Sequence, residues 1–302
     1  MNKKQSDQPL LDVHESVSYC VGSFGQGLDH PECVAWGCDG FAYAGGEGGQ
    51  IYRINLTQST FEQFATTPGF VGGICQDLDH NLYACVANGV YKITTTGKVS
   101  LYSGGAEGNE MLAPNYPVFD VHGNLYVSDA GIWGESNGKI FRITPGGHTD
   151  VWSEYPKTFP NGLCLSPGGE YLYVAVSLDQ PRIERISIND DGTPGSREVV
   201  TLVPRSVPDG LAFDDKGTLY ISCYRPDRIW RYRQGEGLEV LVDDYEGTLM
   251  ASPTNIAFCG PERADLLSAN LGRWHISRYD LSEIGSPKGA QLNYPKVLSV
   301  ED

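Results

Sequence analysis

Pro208-Asp209-Gly210-Leu211-Ala212-Phe213-Asp214-Asp215-Lys216-Gly217-Thr218-Leu219-Tyr220-Ile221-Ser222 is one copy of a phrase that the chain repeats. Pro160-Asn161-Gly162-Leu163 leads through Ser166-Pro167-Gly168-Gly169 to Leu172-Tyr173-Val174. Pro114-Asn115-Tyr116-Pro117 leads through Asp120-Val121-His122-Gly123 to Leu125-Tyr126-Val127. Pro31-Glu32-Cys33-Val34 opens the same progression toward Tyr43, and Leu82-Tyr83-Ala84 and Leu266-Leu267-Ser268 mark two fainter copies. The aromatic or its equivalent falls at 43, 83, 126, 173, 220 and 267, so the gaps are 40, 43, 47, 47 and 47 residues. A period of this length is the mark of a repeat architecture.

Within each unit, short runs of Val, Ile, Tyr and Phe are bounded by Asp-Gly, His-Gly, Gly-Gly or Lys-Gly turns, the pattern of strands and hairpins. No stretch carries an apolar stripe of period 3.6 over three turns. About four antiparallel strands per unit, six times over, predict an all-β, six-bladed β-propeller. A third strand recurs as Ile51-Tyr52-Arg53-Ile54, Ile140-Phe141-Arg142-Ile143 and Ile229-Trp230-Arg231-Tyr232, whose Arg is expected to face solvent. Ring closure requires the chain ends to meet, and Val17–Phe24 alternates as an edge strand of blade six should; the tail 292–302 competes for that edge. The expected organisation is a flexible segment, 1–16, and one propeller domain, 17–302.

A net charge of −16 argues against nucleic acid, whose phosphates require a basic surface, so no nucleic-acid partner is expected. Met1-Asn2-Lys3-Lys4-Gln5-Ser6-Asp7 is not an apolar leader, and no run of 18 apolar residues occurs, so neither secretion nor a membrane partner is expected. Eight scattered cysteines without a CxxC pair suit reduced thiols and a cytoplasmic location.

Aligning the units places Glu32, Gly72, Asn115, Asn161, Asp209 and Thr254 at one position, the start of the innermost strand, facing the channel. Singly, Asn161-Gly162 or Asp209-Gly210 reads as a strand-entry turn. In phase, two carboxylates and two carboxamides converging on a channel require compensation. A divalent cation supplies it, and oxygen donors suit Ca²⁺ best, with Mg²⁺, Mn²⁺ and Zn²⁺ left open.

These residues resemble the senescence-marker protein/gluconolactonase lactonases, which include regucalcin. Pro31-Glu32, Asn115 with Asp120, Pro160-Asn161-Gly162-Leu163 and Val207-Pro208-Asp209-Gly210-Leu211 carry the resemblance, over about residues 17–280. It implies Glu32, Asn161 and Asp209 as direct metal ligands, Asn115 at or next to the metal, and Asp209 as general base. Asp129, closing Tyr126-Val127-Ser128-Asp129, looks like a further aspartate of the family's site and is a second catalytic candidate, with Glu47 as another proton relay. Two features depart from the family. Ala113 stands where many sugar lactonases hold substrate with Arg, and Tyr116-Pro117 follows Asn115 in place of Asp-Gly.

The mouth loops add Phe24, Phe70, Met111, Trp133, Phe159, Tyr224 and Trp274, and Tyr116, Trp133, Phe159, Tyr224 and Trp274 are the candidate substrate contacts. Such a pocket suits a partner less polar than a sugar. Gly134-Glu135-Ser136-Asn137-Gly138 spells a nucleophile elbow but falls between strands, where no elbow forms. The expected function is therefore metal-dependent hydrolysis of a lactone. Hydrolysis of a phosphotriester on the same scaffold and non-enzymatic calcium binding are the alternatives.

Overall fold

The computed structural model describes residues 8–22 and 27–297, and its strands form six four-stranded antiparallel sheets and one short hairpin, Gly105–Ala106 with Asn109–Glu110. The innermost strands, blade one to blade six, are Cys33–Trp36, Val71–Gln76, Pro114–Phe119, Pro160–Leu165, Val207–Phe213 and Pro253–Cys259. They neighbour one another in that order and close on themselves, blade six against blade one. This is the six-bladed propeller that the repeat predicts.

The Asp-x-x-Gly-x-Leu-Tyr spacing has a direct structural cause. Asp120 Oδ1 accepts the backbone N–H of His122 and Asn124, and Asp214 Oδ1 those of Lys216 and Thr218, so each carboxylate closes the hairpin between first and second strands. The tyrosine six residues on donates its hydroxyl to the same carboxylate in Tyr83–Asp77, Tyr126–Asp120 and Tyr220–Asp214. In two of these the ring also meets the next blade edge-on: Tyr83 with Phe119 and Tyr220 with Phe258, at centroid distances of 5.1 and 5.2 Å. One residue thus ties a hairpin and seals a blade interface.

The third-strand arginines do not simply face solvent. Arg53, Arg142, Arg185 and Arg231 each pair with an outer-strand carboxylate, Glu62, Asp150, Glu198 and Glu239. All eight cysteines are free, and no helix among the described residues is long and apolar enough to cross a membrane.

Blade six takes its outer strand from Val17–Val21, which pairs antiparallel with Ile276–Tyr279. Phe24, the end of the strand read from sequence, lies outside the described residues. The tail runs elsewhere, with Tyr294 donating to Trp36 O and Asn293 to Phe119 O beneath the channel. The described part of the expected flexible segment is also ordered. Leu10 and Leu11 donate to Val240 O and Leu241 O along blade five, and the Leu11 side chain is 1% exposed in a core cluster with Ile229 and Leu266. Its one-turn helix, Val13–Ser16, then turns the chain into blade six. The apolar pair Leu10-Leu11 outweighs the polar residues around it. Leu11→Ala should therefore cost about 2–5 kcal/mol in denaturant unfolding, as for a buried leucine, where a frayed segment would show almost nothing.

Candidate metal centre

In five of the six blades the innermost strand is interrupted at the same place. The register against the second strand shifts between Val71 and Gly73, Pro114 and Pro117, Pro160 and Leu163, Pro208 and Leu211, and Pro253 and Ile256. A bulge adds a residue and re-aims side chains. The in-phase Gly72, Asn115, Asn161, Asp209 and Thr254 are the residues at these bulges.

The glycines beside them serve close packing between inner strands and are more than turn formers. A Cβ on Gly162 would lie 2.2 Å from Asp209 O, and one on Gly210 would lie 2.7 Å from the Asn255 Cα. Only a bare backbone allows this approach.

Glu32 and Asp209 are each 5% exposed, and no Lys or Arg among the described residues pairs with either. Burial, and then the Asp209 carboxylate, push the Glu32 carboxyl well above the usual range. Burial likewise pushes Asp209 well up, against a hydrogen bond from Asn161. Two buried carboxylates this close cannot both ionise without a countercharge.

Three further atoms indicate that countercharge. Glu32 Oε2, Asn161 Oδ1 and Asn255 Oδ1 are buried acceptors without a hydrogen-bond partner. Asn161 uses its other end, donating from Nδ2 to Ser177 Oγ at 3.2 Å, while Ser177 donates to Pro208 O at 2.7 Å. That chain of donors fixes which way the carboxamide oxygen turns. Carboxylate and carboxamide oxygens with nothing to accept from are the donor set of a hard divalent cation, so these residues fit one.

Asn255 is the residue that the alignment by repeat misses. It follows Thr254, whose hydroxyl donates to Glu32 O at 2.7 Å and so braces the backbone of blade one. A bulge offers two consecutive residues, and in blade six it is the second that carries the orphaned oxygen. The polar pair after Pro253 was the available signal. Asn115 occupies the blade-three bulge, half-buried, with its carbonyl 2.8 Å from where a Gly72 Cβ would stand.

Asp129 closes the second strand of blade three and is buried. Its oxygens accept the N–H groups of Leu112, Ala113 and Gly131 at 2.6, 2.8 and 3.0 Å. The carboxylate thus shapes the loop before Asn115. Glu47 lies on the blade-one rim beside His30.

Among the mouth residues, Trp133 and Phe159 stack edge-on at 4.9 Å, and Trp133 is 65% exposed. Leu112, Ile132 and Tyr224 are also exposed, while Met111 is buried. Trp274 meets His30 on the other side, at 5.6 Å. Tyr116 departs from the expectation of a mouth contact. As the second residue of its bulge it lines a cavity of about 630 Å³ with Trp36, Cys164 and Phe258, walled by the later halves of the inner strands and by Ala290–Tyr294. This cavity holds none of Glu32, Asn161 and Asp209 and opens on the other face. Residues 134–138 form the loop between the second and third strands of blade three, exposed at 134–136, with Asn137 half-buried and Gly138 buried.

The SMP-30/gluconolactonase/LRE-like region model matches residues 31–269. This chain belongs to that family. A gluconolactonase from Xanthomonas campestris is similar in structure, with a TM-score of 0.72 at 18% identity over 86% of each chain. A luciferin-regenerating enzyme gives 0.75 at 16% identity over 93% of this chain and 99% of that one. Regucalcin from Agrobacterium tumefaciens, a calcium-binding protein, gives 0.70 at 18% identity over 91% and 95%. At such identities the likeness is one of fold. No curated protein matches the chain.

The raised carboxyls set the sign of a pH effect. Without a cation, the folded state holds more protons than the unfolded chain between about pH 4, the ordinary carboxyl value, and the raised native values. Their contribution to stability is full below that window and is lost as pH rises through it. In EDTA the melting temperature should fall from pH 5 to pH 8, and a divalent cation should raise it more at pH 8. Glu32→Gln should raise the chelated protein's melting temperature at pH 8 and remove most of the cation's effect. Equal cation shifts in parent and variant would refute the pairing.

Proposed function

We propose that this protein is a hydrolase that opens a lactone less polar than a sugar lactone, with a divalent cation, Ca²⁺ foremost, held by Glu32, Asn161 and Asp209 and by the further oxygens of Asn255 or Asn115. The single observation that carries the reading is the Glu32–Asp209 pair, buried without a basic partner beside orphaned amide oxygens. When bound, the cation supplies the positive charge that offsets the pair and favours a developing oxyanion at the ester carbonyl.

The chain's own residues divide the remaining work. Asp209 accepts the proton of the attacking water, and burial strengthens it as a base while a nearby cation weakens it. Asn161, oriented through Ser177, presents an oxygen and keeps its N–H groups away from the cation. Asp129 holds the loop of Leu112 and Ala113 in place. Ala113 offers no guanidinium to a polyhydroxylated substrate, and its N–H is already used by Asp129. Leu112, Ile132, Trp133 and Phe159 give the mouth an apolar side over blades three and four, suited to an alkyl or aryl substituent.

A panel of lactones and esters, assayed in EDTA and after return of Ca²⁺, Mg²⁺, Mn²⁺ or Zn²⁺, tests this. Alkyl or aryl lactones should give a higher kcat/KM than aldonolactones, and EDTA should abolish turnover. The reverse order would overturn the substrate class, and tight calcium binding without turnover of any ester would leave a binding protein.

Asp209→Asn separates base from ligand, because it keeps an oxygen of similar shape and loses the proton acceptor. At saturating metal its turnover should fall roughly 10²–10⁴-fold. Turnover close to the parent's would make Asp209 a ligand only and assign the proton to another group, Asp129 or Glu47.

A further inference from the structure

The rim of blade one gathers a second set of donor atoms, apart from the channel pair. His30 Nδ1 stands 3.1 Å from Asp29 Oδ1 and 3.4 Å from Glu47 Oε2, and the three donor atoms all lie within 4.8 Å of one another. Ligands about 2.0–2.1 Å from a tetrahedral ion lie roughly 3.3 Å from each other. The two separations from His30 Nδ1 match coordination edges, and the two carboxylate oxygens lie within 4.8 Å of each other.

The frame around the three is built. Asp29 Oδ2 accepts Gly48 N–H and Gln50 Nε2, each at 3.0 Å, which leaves Oδ1 toward His30. Asp29 N–H donates to Tyr52 Oη, and Glu47 N–H donates to Asp29 O. His30 itself is held at a φ of 40°, in the left-handed region, directly before Pro31-Glu32. Among the described residues neither Asp29 nor Glu47 pairs with Lys or Arg, so two carboxylates face one imidazole. The Gln50 carboxamide that holds Asp29 also keeps a buried Oε1 without a partner.

We propose that Asp29, His30 and Glu47 form a second cation site that takes a zinc-class divalent ion through one imidazole nitrogen and two carboxylate oxygens, with solvent completing the shell. An imidazole donor distinguishes this site from the all-oxygen channel centre, which suits calcium. An ion here fastens the residue before Pro31-Glu32 to the loop between the second and third strands of blade one.

The test uses chelator-stripped protein, dialysed against Zn²⁺ with excess Ca²⁺ and read by metal analysis and zinc-edge X-ray absorption. One zinc per chain is expected, with one imidazole and oxygen scatterers. His30→Gln and Glu47→Gln should each weaken zinc binding by roughly tenfold or more. Both should keep the parent's calcium stoichiometry, and Glu32→Gln should keep its zinc. Failure to bind stoichiometric zinc overturns the proposal, as does zinc that survives both rim substitutions or departs with Glu32→Gln. A sulfur scatterer overturns it too and places the ion at Cys38–His80, where Sγ and Nδ1 are 3.4 Å apart.

Discussion

Hydrogen bonds that cross from one blade to the next hold the channel in shape. Ser128 donates to Asn161 O, Ser177 to Pro208 O, Ser222 to Thr254 O, and Thr254 to Glu32 O. The acceptors are backbone carbonyls at or beside the residues proposed for the metal centre. Each bond satisfies a buried polar group and also fixes where the next blade presents its ligand. Glu32 and Asp209 can be held together against their repulsion because the strands beneath them are pinned in this way. The glycines at 162 and 210 let neighbouring backbones come close enough for the bonds to form.

The fold was legible because the repeating unit carries its own register. Aspartate, glycine and tyrosine fall at fixed offsets, and each offset corresponds to a contact: the hairpin cap, the turn, and the hydroxyl returning to the cap. Glu32, Asn161 and Asp209 were legible for the same reason, since they stand in phase with that register. Phase locates a position along a strand and leaves open which of two bulged residues turns inward. Hence Thr254 was aligned where Asn255 carries the orphaned oxygen, and Tyr116 was expected at the mouth although it lies within the channel.

Other features depend on contacts that no local pattern reveals. The order around Leu11 comes from blade five, more than 200 residues away along the chain. The carboxylate of Asp129 is engaged by backbone N–H groups of a loop, and a backbone group carries no sequence signature. The pairing of third-strand arginines with outer-strand carboxylates was open to sequence only if the fourth strand's register were known.

Blade six joins Val17 to Tyr279, so its outer strand and that strand's neighbour are separated along the chain by the other five blades. Few pairings in the chain have a larger sequence separation, and non-local pairing of this kind slows folding. Until it forms, Ile276–Tyr279 presents a bare sheet edge, which any strand of matching pattern can occupy. Val17–Val21 of a neighbouring chain matches as well as the chain's own. Pairing between chains would therefore compete with ring closure more strongly as protein concentration during folding rises.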